Sequence, residues 1–120
     1  MCMTNVEEIL IRWLNANTSI DWFGDVPADR PKQFGTVERT GGGISDVVID
    51  SPMIALQVWA ESRNIASNLA YDVARIVPKF AYEDRICKVS INSIYNYPDP
   101  DSGSARYQIV IDMKTVQRAD

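Results

Sequence analysis

"MIALQVWAESRNIASNLAYDVARIVP", Met53–Pro78, places two periods side by side. In the first part Ile54, Leu56, Val58 and Ala60 alternate with Met53, Ala55, Gln57 and Trp59, the two-residue period of a strand. One of these faces is wholly apolar and the other mixed, the pattern of a sheet covered by helices on one side. From Ser62 the spacing changes to threes and fours: Ile65, Ala66, Leu69, Ala70, Val73, Ile76 and Val77 make one helical stripe. Ser62 suits an N-cap and Pro78 a stop. The alanines let this helix approach a sheet closely.

The same two signals recur on either side. "TNVEEILIRWLNAN" places Val6, Ile9, Leu10, Trp13 and Leu14 on one stripe. Thr4 and Glu7 have capping-box spacing, so a helix is expected over 5–16. "ICKVSINSIYNY" and "ARYQIVIDMKTV" are both strongly alternating, and "PDPDSGS" between them is a polar turn; they read as an antiparallel hairpin. In the second, Tyr107, Ile109, Ile111 and Met113 oppose Arg106, Gln108, Val110, Asp112 and Lys114.

Between helix and central strand the chain is less regular. Ile20 to Phe23 suits a short strand, and Gly24, Pro27 and Pro31 interrupt regularity. "KQFGTVERT" reads as a strand with Phe34 and Thr36 on one face and Val37 on the other. Gly41, Gly42 and Gly43 then read as a hairpin tip, with "ISDVVID" as a returning strand ended by Ser51-Pro52. The fold expected is α+β: a mainly antiparallel sheet of about four to five strands, with two amphipathic helices packed on one face. The 120 residues are read as one domain, long enough to hold a core without metal or disulfide.

Composition narrows the function. The net charge of −4 opposes the sequence-independent grip on nucleic acid that Lys and Arg provide. No apolar window is long enough to cross a membrane. The start "MCMTNVEEIL" lacks the basic and apolar regions of a signal peptide. Cys2 and Cys87 suit a reduced compartment. Histidine is absent, which removes the commonest general base and zinc ligand.

Four motifs invite chemistry. A phosphate loop needs lysine directly after its glycines, and Ile44-Ser45-Asp46 follows here. "DPDSGS" echoes a calcium loop through Asp99, Asp101 and Gly103, but Val110 stands where the last carboxylate belongs. Asp46 with Asp50, and Glu7 with Glu8, are carboxylate pairs that solvation and helix-dipole matching explain. Lys32, Lys79, Lys88 and Lys114 sit in no recognisable motif. Trp13 belongs to the first helix stripe. Trp59, on the mixed face, either lies under a loop or waits for a partner.

Three blocks in order carry a resemblance: "VPADRPKQFGTVERTGG" (26–42), "ALQVWAESRNIASNLAYDVARIV" (55–77) and "DPDSGSARYQIVIDMKTV" (99–116). With the amphipathic first helix, the chain resembles the tail terminator (tail completion) proteins of long-tailed bacteriophages. The resemblance implies a structural virion protein at the head-proximal end of the tail, assembled in the host cytoplasm. It implies a homo-oligomeric ring, usually hexameric, that caps the major tail tube protein, stops its polymerisation and meets the head connector. DNA passes through the lumen without specific binding; neither catalysis nor a cofactor is implied. Related alternatives are a head-closure or minor tail protein, and, from another class, a small enzyme or ligand-binding domain. The interface residues this reading selects are Arg30, Phe34, Arg39, Gly41, Gly42, Gly43, Trp59, Asp99, Asp101 and Arg106. Arg30 and Arg39 are expected to pair with a neighbouring copy's Asp99 or Asp101.

Overall fold

The computed structural model describes residues 5–44 and 48–116. Among them the chain runs α1 (Val6–Asn17), β1 (Asp21–Phe23), β2 (Phe34–Ile44), β3 (Ile49–Ala60), α2 (Arg63–Ile76), a 3-10 segment (Val77–Tyr82), β4 (Ile86–Asn96) and β5 (Ala105–Val116). The five strands form one sheet in the order β1-β2-β3-β5-β4. β1 runs parallel to β2, and the other three pairs are antiparallel. The fold is α+β, with a mixed sheet.

Both helices pack on one sheet face. Leu10 and Leu14 of α1, Val73 of α2, and Val77 and Phe80 of the 3-10 segment meet Val37, Ile54, Leu56, Val58, Ile109 and Ile111. Full burial of a side chain such as Leu10 or Leu14 contributes roughly 2 kcal/mol. Val89, Ile91 and Ile94 of β4 pack on the same core but remain partly exposed at its rim.

The first helix is capped one residue later than expected. Asn5, rather than Thr4, is the N-cap, and its side chain accepts from the Glu8 backbone N–H. Thr4 lies outside the described residues, as do Cys2 and Asp46. Ser62 caps α2 as expected, accepting from Ile65 N. Pro78 ends the α-helical hydrogen bonding but not the helical course. It occupies the first turn of the 3-10 segment, where a missing N–H costs nothing. That segment buries Phe80 completely and sets it edge-on to Trp13, with ring centroids 5.4 Å apart.

The glycine run is not a hairpin tip. Gly41, Gly42 and Gly43 lie inside β2, paired with Met53, Pro52 and Ser51 of β3, and β2 ends only at Ile44. A bulge between Arg39 and Gly41 shifts the register, which is why the local sequence reads as a break. Pro52 likewise does not end a strand. β3 is continuous from Ile49 to Ala60, and its ladder to β5 pairs Asp50 with Thr115 and then Met53 with Asp112, leaving positions 51 and 52 out.

Gly42 is required by this geometry. Its φ is +83°, and a Cβ there would lie 2.0 Å from the Ser51 carbonyl oxygen. Gly42→Ala is expected to cost roughly 2 kcal/mol or more in urea unfolding. At Gly41 and Gly43 a Cβ would meet nothing within 4 Å. Gly41→Ala is expected to be neutral or to gain up to about 1 kcal/mol.

Candidate subunit interface

The sheet face opposite the helices is built in rows, because paired strand residues point the same way. One row is Phe34, Trp59 and Arg106 across β2, β3 and β5. Phe34 and Trp59 stack at 4.8 Å with their planes 7° apart. The Arg106 guanidinium lies between two aromatic rings, 5.2 Å from the centroid of Trp59 and 4.6 Å from that of Tyr97. Its Nε donates to the Tyr97 carbonyl at 2.7 Å, which fixes the plane of the fork. Phe23 of β1 meets Phe34 edge-on. Trp59 is therefore covered, at 3% exposed, and its indole N–H is buried without a hydrogen-bond partner.

The next row is Thr36, Gln57, Gln108 and Tyr95. The Thr36 hydroxyl donates to Gln57 Oε1, the Gln57 amide donates to Gln108 Oε1 at 2.8 Å, and the Gln108 amide donates to the Tyr95 hydroxyl. This ladder ties four strands together on the face that neither helix covers. Tyr95 and Tyr97 remain more than a third exposed beside it.

The β4–β5 turn adjoins the aromatic row. Asp99 organises it: its carboxylate accepts from the Ser102 hydroxyl (2.7 Å) and the Asp101 backbone N–H (3.1 Å). Those bonds, then Arg106 and Arg30, hold the carboxyl below the ordinary aspartate range. Arg30 comes within 4.0 Å of Asp99 in the same chain. An Asx turn accounts for the position of Asp99 there. Asp101 itself is exposed.

At the other end of β2, Arg39 makes a bidentate pair with Asp50: Nη1 to Oδ2 is 2.6 Å and Nη2 to Oδ1 is 2.8 Å. Its Nε donates to the Gly41 carbonyl, and its backbone N–H donates to Glu7 of α1. The Asp50 side chain is 1% exposed and that of Arg39 29%. The hydrogen bond from Arg39 lowers the Asp50 pKa against the opposing effect of burial. The expectation that Arg39 pairs with a neighbour's acid is replaced by this pair with Asp50 of its own chain. Arg30 lies nearest Asp99 of the same copy.

The ten selected residues thus fall into two groups. Arg30, Phe34, Trp59, Asp99, Asp101 and Arg106 gather at one end of the sheet. Arg39, Gly41, Gly42 and Gly43 lie towards the far end of β2, roughly 15 to 30 Å from Phe34 at strand rise. No protein-family model matches the chain, and no curated protein matches it.

Sequence reasoning did not find the Arg39–Asp50 pair. Its only trace is one basic and one acidic residue on the two arms of the hairpin, and the register sets them opposite Ile54 and Ile44 rather than each other. A groove of about 200 Å³ lies between the C-terminal end of α1 and α2, lined by Thr18, Ile20, Leu69, Asp72, Val73 and Ile76 among others. Its one carboxylate, Asp72, faces Arg75 at 3.6 Å on the exposed side of the helix. Among the described residues, no cluster of three or more His, Cys, Asp or Glu side chains is arranged to hold a metal. No described helix is long and apolar enough to cross a membrane.

Proposed function

We propose that the chain is a structural ring protein of a long-tailed phage virion, a tail terminator whose copies close on the end of the tail tube. The observation that carries this reading is a sheet with helices on one face and backbone open at both of its edges. β4 is paired only on its β5 side, and β2 beyond Thr36 is paired only on its β3 side among the described residues. Two different open edges on one subunit favour head-to-tail contacts, and such contacts give a ring when the rotation closes. The acidic balance suits a lumen that DNA slides through. Tyr95 and Tyr97, exposed beside the aromatic and glutamine rows, offer uncharged contact area for a tube or connector protein. In this reading the ring caps the tube protein, stops its growth and presents the surface that meets the head.

The test is assembly. Purified chain, alone and mixed with tube protein, is expected to give closed rings by light scattering and negative-stain microscopy. A chain that remains a monomer in both conditions, and neither binds tube ends nor limits tube growth, contradicts the reading.

A further inference from the structure

We infer that the contact between neighbouring copies is a strand addition, in which β4 of one copy lies along the Gly41–Ile44 end of β2 of the next. This rests on the ring reading and specifies its joint. Among the described residues, β4 presents the longest open edge. The Tyr97 N–H donates to the Arg106 carbonyl. Antiparallel pairs alternate between bonded and non-bonded, so the backbone groups of Asn96 and Ile94 point away from β5. From Val89 to Asn96 the strand has no charged residue, proline or glycine, the composition of an edge left ready to pair. Ile94 is partly buried at the core rim, so a short strand laid alongside would complete its cover.

The opposite edge is closed over most of its length. β1 covers Phe34 to Thr36, and the Glu7 carboxylate takes the Arg39 N–H. Among the described residues, the end of β2 left without a partner on this side is Gly41–Ile44. Within one chain Gly42 needs to be glycine, whereas Gly41 and Gly43 do not, since a Cβ at either meets empty space. Glycine inside a strand weakens it, and a common reason for it is the close approach of another backbone. Ile44 beside them is 54% exposed, an apolar side chain available to the same neighbour. An uncharged partner strand also suits a chain of net charge −4, whose copies repel elsewhere.

Three measurements test the joint. Gly43→Val adds a strand-favouring side chain in open space, and Asn96→Pro removes an N–H that β5 does not use. Each is expected to keep the thermal midpoint of the monomer and to raise the concentration needed for ring formation about tenfold or more. In the unsubstituted protein, the Ile94 and Asn96 amides are expected to exchange at least about tenfold more slowly in rings than in monomers. Rings that form equally well in both variants, or with those two amides still exchanging fast, overturn the strand addition and leave the ring reading standing. A chain that forms no ring even on tube ends overturns both.

Discussion

Arg39→Leu is expected to cost about 3–5 kcal/mol of folding stability at neutral pH, because it leaves Asp50 charged and unpaired in the interior. The Asp50 side chain is 1% exposed, and its strongest bonds are the two from the guanidinium. The pH dependence distinguishes this from a loss of packing. In the unsubstituted protein the folded Asp50 carboxyl titrates below its unfolded value. Its contribution is therefore present above about pH 4 and lost as pH falls through the lower folded value. In Arg39→Leu the sign reverses. A buried carboxylate without its cation titrates above its unfolded value, so the penalty is full at neutral pH and relieved by acid. The stability gap between the two proteins should be widest near neutrality and shrink as pH falls towards 4. Urea unfolding across that range measures it, and a gap that does not change with pH contradicts the assignment. Arg39→Leu combined with Asp50→Leu should recover part of the loss, since an apolar pair of similar volume carries no charge to desolvate.

Phe80→Ala is expected to cost about 3–5 kcal/mol. The ring is fully buried in the core and stands edge-on to Trp13. The 3-10 segment is anchored by Val77 at its start and by this ring further on, since Pro78, Lys79 and Tyr82 are exposed. Losing the ring opens a cavity between α1 and the sheet and removes the aromatic contact on Trp13, which adds about 1 kcal/mol beyond area burial. Phe80→Leu, which keeps most of the volume, should cost clearly less. A loss below about 1 kcal/mol for Phe80→Ala would show that the segment is not anchored by its ring.

These two positions also show where the sequence stops being informative. β3, α2 and the β4–β5 hairpin are legible because their apolar residues repeat at one period over ten residues or more, and the two periods differ sharply. Phe80 is not legible: it follows a proline in a six-residue turn with no period of its own. Gly41–Gly43 and Pro52 read as breaks because local propensity favours turns there, whereas the ladder between β2 and β3 absorbs both through a bulge and a skipped pair. Trp59 looked half free on alternation alone. Its cover comes from Phe34 and Arg106, which are 25 and 47 positions away along the chain and adjacent only once the register is set. In the same way the charge partners of Arg39 and Arg30 were sought in another copy, because nothing local marks Asp50 or Asp99 as their partners.

If this chain acts by closing on the end of a tube, electron microscopy of particles assembled without it will show tails that have grown past their normal length and carry no heads. Tails of normal length joined to filled heads would contradict it, and heads that have lost their DNA beside tails of normal length would move the chain to head closure.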